Sequence, residues 1–286
     1  MRATELLRNL GQSLWLDNIT RDLLNDGSLK RYIDDLSITG LTSNPTIFDH
    51  AIKNSAAYDA AILDGRRNGK DGEALFFDLA LEDIRRAADL FRPVYDRTDG
   101  VDGWVSLEVP PSLAHDTLET LAAAKDLSAR ADRLNVFIKI PGTPEGLPAI
   151  EEAIFAGVPI NVTLLFSVEQ YIAAAEAYIR GIERRIESGP ESDGRVCSFT
   201  IHQPLGRCRG KQSPRRPQRP TWDCGCRQSV QKLSGFPGIA SLAARLQLWS
   251  SRSAIALGEH RNERPPATGY VLREISGGPV HCEYHA

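Results

Sequence analysis

The chain has 286 residues, 42% of them hydrophobic and 25% charged, with a formal net charge of −3. That length suits a single large domain, since barrels of roughly 250 residues occur as one unit, and no stretch approaches the roughly 20 apolar residues of a membrane span. The N-terminus, MRATELLRNLGQSLW, carries an acid and lacks a signal peptide's apolar core, so the expectation is a soluble cytoplasmic protein with no membrane partner.

Along the chain, short apolar β-rich runs alternate with amphipathic stretches. SLWLDNI (Ser13 to Ile19) reads as a strand, and SITGLTSNP (Ser37 to Pro45) as a strand ending in a loop. DGEALFFDLALEDIRRAADLF follows, with Leu75, Leu79, Ile84 and Ala88 at helical spacing. GWVSLEV (Gly103 to Val109) is the next strand. Asp116 then precedes TLETLAAAKDLSARA, with Glu119 three residues on, which predicts a capped helix. NVFIKIPG (Asn135 to Gly142) is a fourth strand. Thr143 after it predicts an N-cap with Pro144 in the first turn. PINVTLLF (Pro159 to Phe166) is a fifth strand. Ser167 and Gln170 open the helix VEQYIAAAEAYIRGIERRIES, which Gly189-Pro190 ends. A sixth strand begins at VCSF (Val196 to Phe199).

Strands alternating with helices of this length argue for a parallel sheet, either doubly wound or a (β/α)8 TIM barrel. No G-x-G-x-x-G follows the first strand, which lowers the dinucleotide-binding reading. Polar residues at the C-terminal ends of several strands favour the barrel, where those ends form the active-site rim.

Lys139 stands in the middle of an apolar run, VFIKIPG. Desolvation can lower a buried lysine's pKa to about 5–6, and a neutral amine can attack a carbonyl to form a Schiff base. A lysine at the sheet edge, or one whose stem snorkels to solvent, is the plain alternative. Asp17 and Glu108 are likewise lone carboxylates in apolar strands, where an unpaired charge is disfavoured. They could carry the proton transfers that Schiff-base chemistry needs, or form a buried ion pair, with Lys139 as one possible partner. Thr42, Asn44, Asn161 and Thr163 are polar groups at other strand ends. Each is a candidate for holding substrate hydroxyls or a water, and equally for a structural hydrogen bond. Arg180, Arg184 and Arg185 read as a solvated helix face and are assigned no role.

WLDNITR, GLTSNPTIF, VSLEVPPSL, FIKIPGT and INVTLLFS, in this order and spacing, resemble the transaldolases over about Leu10 to Ser188. The resemblance implies an α/β fold of the (β/α)8 type. It makes Lys139 the Schiff-base lysine, Asp17 and Glu108 the acid/base carboxylates, and Thr163 the residue that positions the catalytic water. Thr42, Asn44 and Asn161 correspond to residues that contact the sugar. The implied activity is transfer of a dihydroxyacetone unit from sedoheptulose 7-phosphate to glyceraldehyde 3-phosphate, giving erythrose 4-phosphate and fructose 6-phosphate in the pentose phosphate pathway. Sugar phosphates would be the partners. No metal and no cofactor is implied, because a protonated imine supplies the electron sink. A Schiff-base aldolase that needs no acceptor is the enzymatic rival.

The tail differs. Of 37 acidic residues only Asp223, Glu259, Glu263, Glu274 and Glu283 follow residue 195, against 13 of the 34 lysines and arginines. All five cysteines and four of the six histidines lie there too. The expected division is therefore 1–195, the N-terminal part of a transaldolase-like barrel, and 196–286, an aberrant basic tail rich in Cys, Pro and Arg, with the barrel disrupted or incomplete after 196. After VCSF the chain reads FTIHQPLGRCRGKQSPRRPQRPTWDCGCRQ, with neither helical nor strand period. Read in permitted codons and shifted by one base, FTIHQPLGR becomes SRFTSRWD, close to the F-x-S-R-W-D expected of the family. VHCEYHA can likewise become FTVNTM, which resembles the family's C-terminal strand. RLQLWSS (Arg245 to Ser251) resembles a family segment as written, so more than one shift is needed. Cys208, Cys224, Cys226 and His202 lack the paired spacing of a zinc site. Arg207 to Arg219 could attract nucleic acid by charge but interleave no aromatic residue, so no nucleic-acid partner is expected. An inactive barrel remnant with a basic tail is the non-enzymatic rival.

Overall fold

The structure is a computed structural model that describes residues 2–188 and 199–201. Six described strands run parallel: β1 (Trp15–Asp17), β2 (Gly40–Thr42), β3 (Trp104–Glu108), β4 (Val136–Pro141), β5 (Ile160–Thr163) and β6 (Phe199–Ile201). Each pairs with the next, so spatial order is chain order. A doubly wound sheet reverses its order at a switch point. Unbroken parallel succession is the winding of a (β/α)8 barrel. The expected sixth strand is present from Phe199; its first three residues, and the expected disruption after 196, lie outside the described residues.

Between the strands lie α2 (Arg21–Asn25), α3 (Ser28–Leu36), α4 (Pro45–Asn54), α5 (Asp59–Arg67), α6 (Gly72–Arg97), α7 (Thr117–Ala131), α8 (Gly146–Phe155) and α9 (Val168–Glu187), and α1 (Ala3–Asn9) precedes them. Helices α6, α7 and α8 lie against β3, β4 and β5. Asp116 caps α7 as its sequence predicts, its carboxylate accepting from the Glu119 N–H at 3.0 Å. Thr143 also caps: its Oγ1 accepts from the Gly146 N–H at 3.0 Å, although regular helix begins only at Gly146. The second strand is shorter than its apolar run, because Asn44 turns the chain straight into α4, accepting from the Ile47 N–H at 2.9 Å. Gly189 and Pro190, the expected stop for α9, lie outside the described residues.

Successive side chains on a strand point to opposite faces, and here the two faces differ chemically. Leu41, Val105, Leu107, Val136, Ile138, Ile140, Ile160 and Val162 share one parity and are buried aliphatics. The other parity carries Trp15, Asp17, Thr42, Trp104, Ser106, Glu108, Phe137, Lys139, Asn161 and Thr163. The sheet curls toward this second face. Trp15 on β1 and Phe137 on β4 are three strand spacings apart, about 14 Å in a flat sheet, yet their ring centroids lie 6.4 Å apart. Trp104 stacks on Phe137 at 3.9 Å. Gly40 makes this aromatic layer possible, since a Cβ there would fall 2.5 Å from the Trp15 ring.

Outside the sheet, Arg21 at the start of α2 is clamped to α6. Its Nε donates to Asp83 at 2.9 Å and its Nη2 to Glu82 at 2.8 Å. The Tyr58 hydroxyl donates to Asp83 at 2.8 Å and accepts from the Arg21 backbone N–H. Burial pushes both the Asp83 carboxyl and the Tyr58 phenol above their ordinary pKa values. Of the arginines of α9 expected on a solvated face, Arg180 is exposed, whereas Arg184 and Arg185 are half-buried. Arg180 pairs with Glu151 at 2.7 Å, Arg184 with Glu151 and Glu152 at 3.1 and 2.6 Å, and Arg185 donates to the Phe155 carbonyl. They dock α9 on α8.

This fold belongs to one unit, Met1–Leu165 with Gln170–Gln203. A second unit, Phe166–Glu169 with Pro204–Ala286, is described only over its first four residues.

Candidate active site

The polar face of the sheet is layered by strand register. At its base Trp15 and Trp104 are aligned, and the Phe137 ring, level with Ser106 in register, stacks on Trp104. Above the two tryptophans Asp17, Thr42 and Ser106 are aligned across β1, β2 and β3. One further step along the strands aligns Glu108, Lys139 and Asn161 across β3, β4 and β5. Thr163 follows two residues beyond Asn161 on the same strand face. Parallel strands put all these groups toward the C-terminal ends, the end that forms the rim of a barrel's site.

Lys139 is only 6% exposed. Its greasy sequence neighbours point to the helices, whereas its own face is polar, which is how an apolar strand carries a charge. Three oxygens surround Nζ: the Ser43 carbonyl at 2.8 Å, Glu108 Oε2 at 3.3 Å and Thr42 Oγ1 at 3.4 Å. The ammonium donates hydrogen bonds to the Ser43 carbonyl and the Thr42 hydroxyl, and Glu108 is its ion-pair partner. Glu108 is the member of this set that can take a proton from the amine and return it. Both plain alternatives for the lysine are excluded, since β4 lies between β3 and β5 and the side chain is buried; the ion pair expected as an alternative for the carboxylates is formed by Glu108.

Asn161 is fully buried and its Nδ2 donates to Ser106 Oγ at 3.1 Å, across an intervening strand. Asn161 Oδ1 and Thr163 Oγ1 are buried without a protein partner among the described residues. Buried polar atoms are almost always hydrogen-bonded, so these two are suited to accept from a bound hydroxyl or water. Asp17, at the exposed end of β1, is level with Thr42. No ion pair joins Asp17 to Lys139 among the described residues. Asn44 is half-buried, and its Oδ1 is spent on the cap of α4.

Two residues here escape a reading from sequence. Ser106 lies two before Glu108 in GWVSLEV, and strand alternation alone places it on the lysine's face. Ser43 enters through its backbone carbonyl, for which no side-chain pattern exists. Among the described residues no group of three or more His, Cys, Asp or Glu could hold a metal, and no helix is long and apolar enough to cross a membrane. The cysteines, His202 and the basic stretch of the tail lie outside the described residues.

Residues 14–202 match the family described as Transaldolase/Fructose-6-phosphate aldolase. The chain belongs to that family. A protein of Nostoc punctiforme named Transaldolase 2 is 46% identical over 185 residues, 65% of this chain and 49% of its own length. A Transaldolase of Trichodesmium erythraeum is 48% identical over 197 residues, 68% of this chain and 52% of its own. A Transaldolase of Acidothermus cellulolyticus is 49% identical over 193 residues, 67% and 52% respectively. The chain thus spans about half the length of the curated relatives it matches. The strand succession is that of the (β/α)8 barrel of the transaldolase/fructose-6-phosphate aldolase family.

Proposed function

We propose that this chain carries transaldolase chemistry, moving a dihydroxyacetone unit from a ketose phosphate such as sedoheptulose 7-phosphate to glyceraldehyde 3-phosphate through a Schiff base on Lys139. The observation that carries the reading is a buried lysine amine 3.3 Å from the Glu108 carboxylate, inside a ring of polar groups on the inner face of the sheet. Glu108 takes a proton from the amine, and the freed Nζ adds to the substrate carbonyl carbon. The resulting carbinolamine loses water, with a proton supplied by the acid form of Glu108, and leaves a protonated imine. Asp17 then removes the proton of the substrate hydroxyl whose carbon–carbon bond breaks, and the imine takes up the electron pair. Thr163 holds the water exchanged at the imine carbon. Asn161, Thr42 and the amide nitrogen of Asn44 bind the sugar hydroxyls. The names of the relatives and the family match support this assignment.

The family description also names an aldolase, which favours one second reading: cleavage of fructose 6-phosphate with release of the free three-carbon ketone. Fructose 6-phosphate supplied with and without erythrose 4-phosphate separates the two. Turnover that depends on the aldose phosphate supports transfer. Equal turnover without it makes the protein an aldolase. The same proposal assigns residues 1–195 to the transaldolase-like part, working in the cytoplasm, and 196–286, apart from the segment Arg245 to Ser251, to translation out of frame. Coding DNA that cannot yield SRFTSRWD in another frame would remove that last assignment.

A further inference from the structure

Ser43 is the first residue beyond β2, just past the last ladder pair to β3, Thr42 with Ser106. Ser43 is fully buried, and its Oγ donates to the Ser106 carbonyl on β3 at 2.7 Å. On its other side Asn44 is pinned by the cap of α4. Between these two anchors the Ser43 carbonyl faces Lys139 Nζ at 2.8 Å, the shortest of the three contacts that the amine makes.

We infer that Ser43 is a positioning residue for the Schiff-base lysine, its hydroxyl acting as a strut that aims its own carbonyl at Nζ. This rests on the lysine's proposed role. The three contacts then divide the work. Glu108 can accept a proton and give it back. A peptide carbonyl cannot, so Ser43 holds the nitrogen in place without discharging it. The distinction matters once the imine forms. Condensation joins Nζ to the carbonyl carbon, expels the carbonyl oxygen as water and leaves one N–H on a positively charged nitrogen. One hydrogen bond donated by that N–H to a fixed carbonyl then sets the imine plane and favours the cation, which is the form that withdraws electrons from the bond to be broken.

The test uses the full chain with fructose 6-phosphate and borohydride, reading the trapping rate against substrate concentration. Ser43→Cys keeps the volume and weakens the donor, while Ser43→Thr keeps the donor. Removing the strut should lower the maximal trapping rate of Ser43→Cys about tenfold, the size of one neutral hydrogen bond, with the half-saturating concentration within about twofold. Ser43→Thr should recover most of the rate. Full-rate trapping by Ser43→Cys, or an equal loss in Ser43→Thr, overturns the inference. If Ser43→Cys does not fold, Ser43→Ala is judged by the same criteria. No adduct from the parent, both as it stands and with its tail restored to frame, overturns the underlying lysine assignment instead, so the two failures are distinguishable.

Discussion

At Lys139 the amine is dry but not friendless. It is buried, donates hydrogen bonds to the Ser43 carbonyl and the Thr42 hydroxyl, and is ion-paired with Glu108. In the proposed mechanism, chemistry at this nitrogen begins with removal of a proton, and Glu108 is the carboxylate beside it. Glu108→Gln keeps the hydrogen-bonding shape and loses the basicity, so imine formation should slow by about 10² to 10⁴, measured as the trapping rate at saturating donor. A rate within threefold of the parent would give the proton transfer to another group. A second residue makes a prediction of the opposite kind. Burial holds the Asp102 carboxyl above its ordinary pKa, against the hydroxyls of Ser13 and Thr39 and the charge of Arg8, and its Oδ1 has no partner among the described residues. The folded state thus tolerates the neutral acid better than the anion. That contribution is present in full below the unfolded value of about 3.9 and is lost as pH rises through the raised folded value. Urea unfolding should show Asp102→Asn losing less stability than the parent between about pH 4 and pH 7. Parallel pH profiles would refute this.

Among the elements, the strands are the most legible in the sequence. Apolar runs punctuated by single polar residues locate β1 to β5, and alternation explains why Asp17, Glu108 and Lys139 could be singled out. Each breaks an aliphatic pattern. Boundaries are less legible, because the apolar run of β2 continues past the point where the Asn44 cap turns the chain into α4. Packing between distant elements cannot be read at all. Arg21 in WLDNITR gives no sign that Asp83 and Tyr58 await it 62 and 37 residues away. That cluster ties the start of α2, and hence the loop after Asp17, to α6. Arg21→Met alone leaves the Asp83 carboxylate buried without its cation and should destabilise the fold by about 3–5 kcal/mol. Adding Asp83→Leu should recover a large part of that loss, since an apolar replacement for both partners leaves no stranded charge. Chemical denaturation of the two variants checks it, and a double variant less stable than the single would contradict it.

For the whole molecule, the fold class follows from simple facts: strands alternate with helices, and no dinucleotide fingerprint follows the first strand. The curl of the sheet does not, because it depends on Trp15 lying over Gly40 and meeting Phe137 from three strands away. The central claim is that Lys139 is the covalent centre of this inner face, and borohydride trapping tests it most directly. The full chain is incubated with fructose 6-phosphate and reduced, and the added mass is mapped by peptide analysis. The account predicts a single adduct on Lys139 that Lys139→Met abolishes. An adduct on another lysine, or none from both this chain and a version with the tail restored to frame, would contradict it.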